Sequence, residues 1–146
     1  MNRRIAVRAV IYQNSKIFAL RQIKQGVVNE FWSTPGGGLD PMESLEDGLT
    51  RELIEETGVK PAIGRLLFIQ QYRESETEEQ LEFFYHVTNA DDFKTLDLSK
   101  TTHGELEISD YDFIDPKEAP LLPDFLKSVD IEAAINSGKP AIFTYL

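Results

Sequence analysis

Residues 36 to 59 constrain this chain more than any other stretch. They read Gly-Gly-Gly-Leu-Asp-Pro-Met-Glu-Ser-Leu-Glu-Asp-Gly-Leu-Thr-Arg-Glu-Leu-Ile-Glu-Glu-Thr-Gly-Val. The pattern is a glycine loop feeding a helix. Asp40 and Pro41 precede the helical periodicity as a capping region would, and Gly58 stands where a helix stop belongs. Leu45, Leu49 and Leu53 recur every fourth residue and form one apolar stripe. Beside it lie Glu52, Glu55 and Glu56, whose spacing puts them on one face within about one turn.

Carboxylates gathered this way repel one another, so the helix needs a reason to hold them. A hard divalent cation, Mg²⁺ or Mn²⁺, is such a reason, because it takes oxygen ligands. Residues 40 to 58 carry seven acidic side chains against the single base Arg51, so an anionic phosphate could approach only with cations bridging it. Gly48 shares the face of Glu52, one turn earlier. Glycine within a helix costs about 1 kcal/mol relative to alanine, so this position predicts close approach by other backbone, with the Gly36–Gly38 loop as the expected neighbour.

The stretch also resembles the Nudix box at every fixed position. Gly37, five residues, Glu43, seven residues, then Arg51-Glu52-Leu53-Ile54-Glu55-Glu56-Thr57-Gly58-Val59 matches the pattern Gly-x5-Glu-x7-Arg-Glu-U-x-Glu-Glu-x-Gly-U, with U aliphatic. The resemblance implies an α/β Nudix fold, a curved mixed β-sheet between helices. It implies hydrolysis of the phosphoanhydride bond in a nucleoside diphosphate linked to another group X. It further implies that Glu52, Glu55 and Glu56 ligate the metal, joined by the backbone carbonyl of Gly36. Arg51 would orient the carboxylates and Glu43 would act near the metal, while Gly37 and Gly58 would be structural. Metal ions suit this chemistry, since they neutralise developing charge and acidify a bound water. The same resemblance points to a downstream glutamate as general base. Glu107 is the first candidate, followed by Glu105 and Asp110.

Group X is not identified by the sequence. Phe31, Trp32, Tyr72 and Phe84 are candidates to stack on a base, and Arg21 or Arg73 to meet phosphate. Relatives acting on ADP-ribose commonly carry a proline about sixteen residues after the box, where this chain has Ser75. His86 and His103, the only histidines, read as structural. Two rivals remain. One is a Nudix-fold module that binds a nucleotide without turnover, against which the intact glutamates argue. The other is an isoprenoid diphosphate isomerase, against which the absence of cysteine argues.

The remaining composition fits one domain of 146 residues in the cytoplasm. No apolar run approaches the ~20 residues of a membrane span. The net charge of −10 argues against a duplex nucleic-acid partner. A homodimer is left open. Along the chain, 4 to 12 reads as a buried strand pairing with 17 to 23 as a hairpin. Residues 31 to 35 read as extended, while 62 to 73 and 80 to 88 read as strands. Residues 89 to 104 read as polar loop, 105 to 114 as a strand, 115 to 119 as a short helix and 123 to 136 as a helix. The tail from 139 is unassigned.

Overall fold

The computed structural model describes residues 1–102 and 107–146. Two mixed sheets and two α-helices form the described part. Strand β1 (Asn2–Val10) runs parallel to β8 (Glu78–Val87) and antiparallel to β6 (Gly36–Gly38). Strand β7 (Ile63–Arg73) pairs antiparallel with β8 and parallel with β11 (Ala141–Tyr145), giving the order β11-β7-β8-β1-β6. The register of β7 on β8 shifts between Ile63 and Phe68, and such irregularities bend a strand pair. In the second sheet, β3 (Lys16–Lys24) is flanked by short strands and by β9 (Ile108–Ile114). The short strands are β2 (Tyr12–Gln13), β4 (Val27–Val28) and β5 (Trp32–Ser33), with β10 (Leu121–Leu122) on β5.

Residues 6 to 10 of β1 and 17 to 20 of β3 are buried on both faces, which is why these runs are apolar apart from the half-buried Arg8. Val7, Ala9, Phe18 and Leu20 face one core with Leu49 and Leu53 of helix α1 (Leu45–Thr57). Val10, Ile17 and Ala19 face the other, with Phe68, Phe84, Phe125 and Ile131. The α/β architecture with mixed sheets between helices is as expected. The hairpin is smaller than expected: only Tyr12 and Gln13 pair with β3, while β1 crosses into the other sheet.

Four segments differ from the sequence reading. Residues 123 to 136 are not one helix. A 3-10 turn, Asp124–Lys127, is followed by α2 (Ile131–Asn136), which starts afresh where Asp130 accepts from the Ala133 amide at 3.0 Å. Residues 115 to 119 make a turn closed by Asp115 rather than a helix. The tail forms β11, because Phe143 stacks on Phe125 with centroids 4.5 Å apart. The polar segment after β8 carries two 3-10 turns and a firm anchor. Phe93 is fully buried, 5.4 Å from the Phe18 ring. His103 and the base candidate Glu105 lie outside the described residues.

That anchor sets a stability prediction. Phe93→Ala should cost about 3–5 kcal/mol, as truncation of a buried aromatic does. Urea unfolding measures it, and a loss below ~1 kcal/mol would mean that this segment is not tied to the core.

Candidate active site

The glycine loop and helix α1 are joined by a short turn and by side chains that cap both ends. Ser44, not Asp40 or Pro41, is the N-cap, accepting from the Asp47 amide at 3.1 Å. The helical φ/ψ run therefore begins later than the acidic residues suggest. Gly58 ends the helix in the left-handed region at φ 76°, and its amide donates to the Ile54 carbonyl at 2.9 Å. Leu49 and Leu53 are buried beneath, and this fixes which face the glutamates occupy.

Arg51 lies among those glutamates. Its Nε and Nη2 grip Glu43 in a two-pronged pair at 2.8 and 2.9 Å. Nη1 reaches Glu52 at 3.1 Å and Glu55 at 3.3–3.4 Å, and Nη2 also donates to the Gly38 carbonyl at 3.0 Å. Glu43 additionally accepts from the Asp40 amide at 3.0 Å. Arg51 first, and then this amide, hold the Glu43 carboxyl down to about 2. One guanidinium thus ties the helix, the loop and the preceding turn together and offsets the repulsion among three carboxylates.

Glu56 is different. It is only 6% exposed and accepts from the Gly36 amide at 2.8 Å. Burial pushes its carboxyl up to about 8. The Gly36 amide and the Arg8 charge pull against that shift, while Glu52 and Glu107 add to it. Glu107, exposed at the entry to β9, therefore acts electrostatically on the carboxylate face. Gly36 itself has φ 142° and lies against the β1 backbone at Val7 and Arg8, where no Cβ fits. A Cβ on Gly37 would stand 2.6–2.7 Å from the Glu52 carboxylate. The loop is therefore packed on Glu52. At Gly48 the expected neighbour is wrong: the Leu39 and Glu43 side chains fill that space instead of the Gly36–Gly38 backbone.

Beside the loop opens a cleft of about 900 Å³. Gly36, Gly37, Arg4, Arg8, Gln70 and Tyr72 lie along it. Burial, then Glu82 and Glu74, push the Tyr72 hydroxyl up to about 12, so it stays a neutral donor. Of the other stacking and phosphate candidates, Arg73 lines the cleft and Phe31 is an exposed side chain outside its lining. Phe84 is fully buried, edge-on to Phe125 at 5.2 Å, and cannot stack on a ligand. Arg21 does not line the cleft. It pairs with Asp110 at 2.6 and 3.0 Å across β3 and β9 and lies 4.8 Å over the Trp32 ring. Trp32, beneath it, packs on the second core. Asp110 is held below the usual carboxylate range, by Arg21 above all, and its oxygens accept from Arg21 and Ser109.

The sequence reading missed Arg8, Glu82 and Gln70. Glu82 is 3% exposed and accepts from Arg8 Nε at 2.9 Å and from Gln70 Nε2 at 3.1 Å. The signal was present in the alternation of β8, where Gln80 and Glu82 share the side of buried Phe84. Two polar residues on a core-facing side mark the place where the core gives way to the cleft.

A raised carboxyl pKa makes the metal-free protein pH-sensitive. The Glu56 pKa stands above its ordinary 4.5 in the folded state, so its contribution to stability is fully present below about 4.5 and lost as pH rises through about 8. Glu56→Gln should therefore raise the thermal midpoint in EDTA more at pH 8.5 than at pH 5.5. An equal gain at both pH values would contradict the buried, charge-starved environment.

Comparison with known proteins agrees with this arrangement. An Escherichia coli K12 CTP pyrophosphohydrolase is 27% identical over 141 residues, 92% of this chain and 95% of its own length. A Bacillus subtilis protein whose name carries a provisional 8-oxo-dGTP diphosphatase assignment is 33% identical over 98 residues. That match takes in 64% of this chain but 62% of the relative, less than two thirds of its length. The solution structure of the E. coli ORF135 protein superposes with a TM-score of 0.68 at 24% identity, over 96% of this chain and 95% of that one. The NUDIX domain family model matches residues 2–133. With the glycine loop, the capped glutamate helix and the sheet order all in place, the chain belongs to the NUDIX family.

Proposed function

We propose that this chain hydrolyses a phosphoanhydride bond in a nucleoside diphosphate linked to another group, with Mg²⁺ or Mn²⁺ as cofactor. The observation that carries the reading is Glu56, a carboxylate buried beside Glu52 and given one amide donor among the described residues. Such a group has a deficit of positive charge that a divalent cation meets. Among the described residues no three acidic or imidazole groups stand gathered as a finished cation cage. Arg51 instead draws Glu52 and Glu55 to itself. The donor set still fits, since it consists of carboxylates with a glycine backbone pressed against one of them.

Glu52, Glu55, Glu56 and the Gly36 carbonyl would hold the cation. When bound, it would neutralise charge on the diphosphate and acidify a water. The protein's own groups supply the rest. Arg51, anchored by Glu43, fixes the rotamers of Glu52 and Glu55, so orientation is set before substrate arrives. Glu107 is the proposed proton acceptor. Its exposure lets it pass the proton to solvent, and its influence on Glu56 supports proximity. Tyr72 offers a neutral ring and hydroxyl to the group linked to the diphosphate. The names of the relatives put CTP and 8-oxo-dGTP first among substrates to try.

The deciding experiment is chromatographic measurement of the nucleotide products, with pyrophosphate detected alongside, from nucleoside triphosphates, nucleotide sugars, dinucleoside polyphosphates and coenzymes, with and without Mg²⁺. Turnover of at least one, dependent on Mg²⁺, is expected; turnover of none would leave a nucleotide-binding module. With the best substrate, Glu55→Gln should lower turnover by orders of magnitude at saturating Mg²⁺, and near-normal rates would sink the ligand assignment. Glu107→Gln should cost roughly 10²–10⁴-fold in rate while Mg²⁺ affinity stays at the wild-type value. A fall in that affinity would make Glu107 a ligand instead of a base.

A further inference from the structure

Arg8 stands where the cleft meets the glutamate helix. In the sheet it is opposite Gly36, whose amide binds Glu56, and Gly36 packs on the Arg8 Cα. The side chain is 20% exposed and lines the cleft. Nε donates to Glu82 at 2.9 Å and Nη1 to the Thr34 carbonyl at 3.1 Å. A guanidinium has five N–H groups, and the others find no partner among the described residues. Glu82, 3% exposed, is itself braced by Gln70. The fork is thus fixed in direction while part of it stays open toward the cleft. Arg8 and Glu56 each act on the other's charge, so the two lie within one electrostatic neighbourhood.

We infer that Arg8 is a diphosphate-binding residue and that Glu82, with Gln70 behind it, is the positioning residue that aims it. A guanidinium suits this role because its planar fork matches phosphate oxygens and is ordered before the ligand arrives. The location supplies the reason for placing it here. A diphosphate approaching Glu52, Glu55 and Glu56 meets a concentrated negative field, and Arg8 is a fixed cation on the opposite side of the same glycine loop. Arg4, which also lines the cleft, adds charge nearby without a comparable brace. A purely structural ion pair would need no open N–H groups and no place on the cleft wall.

The inference rests on the proposed reaction class but can fail separately from it. The probe is a non-hydrolysable nucleotide, cytidine 5′-(α,β-methylene)diphosphate, titrated calorimetrically with Mg²⁺ and again in EDTA. Arg8→Gln should weaken its binding roughly tenfold or more in both buffers, the loss expected for a charged hydrogen bond. Arg8→Lys keeps the charge but not the fork and should fall between. Glu82→Gln should weaken binding less than Arg8→Gln. The Arg8→Gln/Glu82→Gln pair should match the Arg8 variant alone, because Glu82 acts only through Arg8. That double variant removes the buried Glu82 carboxylate together with its partner, so it serves if Arg8→Gln alone is unstable. Wild-type affinity in Arg8→Lys and in the double variant, with only the thermal midpoint lowered, would overturn the inference and leave a structural ion pair. Failure of wild type to bind the probe while still turning over nucleotides would overturn it as well. Binding that depends on Arg8 in a protein that turns over nothing would keep this inference and reject the hydrolase reading.

Discussion

The site depends on one guanidinium. Without Arg51, helix α1 would bring Glu52 and Glu55 together above Glu43 with little to offset their repulsion. With it, the three carboxylates share a donor whose own position is fixed by the Gly38 carbonyl and by both oxygens of Glu43. The pair with Glu43 is bidentate and partly shielded, so it has the geometry in which an ion pair exceeds the near-zero value of a solvent-exposed one. Its consequence is mechanical as well as electrostatic. The loop before the helix cannot drift from the helix without breaking contacts on three sides of Arg51.

Arg51 does not reach Glu56, which is served from the other side of the loop. There the sheet register decides the geometry. Arg8 opposes Gly36, and Gly36 can lie against β1 only because it lacks a Cβ and takes a positive φ. Its amide is thereby aimed at Glu56. The three glycines therefore have separate tasks: Gly36 meets the strand, Gly37 meets the Glu52 carboxylate, and Gly38 gives its carbonyl to Arg51. Their sequence looks like one flexible loop, yet they form the short edge strand β6, pinned between β1 and α1.

This division explains what could be read from the chain and what could not. Helix α1, its leucine stripe and its glutamate face were legible, since all follow from local spacing. So were the long strands, from their short apolar runs and, in β8, from alternation. Local spacing says nothing about partners distant in sequence. Trp32 and Arg21 looked like ligand contacts because each is a residue type that binds nucleotides, but Asp110, 89 positions from Arg21, claims the guanidinium. Phe84 failed for a related reason: the alternation of β8 gave two faces without saying which one was core. The break between Asp124–Lys127 and α2 was hidden because both pieces bury apolar residues at helix-like intervals. Arg8 and Glu82, 74 positions apart, became a pair only through the parallel register of β1 on β8.

The cleft and the helix divide the electrostatic work of the site. The chain carries −10 overall, and the acidic face of α1 would repel a phosphate. Yet Arg4, Arg8, Lys24 and Arg73 line the adjoining cleft against Glu74, Glu82 and Asp124. The proposed substrate, with a charged diphosphate and a neutral base, would therefore meet a gradient across the glycine strand, from cations on the sheet to carboxylates on the helix. Fixed cations alone would hold the phosphates without activating water. Carboxylates alone would admit no phosphate at all. Because the glycine strand separates the two sets and hydrogen-bonds to the helix side, neither can collapse onto the other. Glu56 keeps its charge deficit and Arg8 keeps its open donors, so both remain available to a ligand that spans the strand.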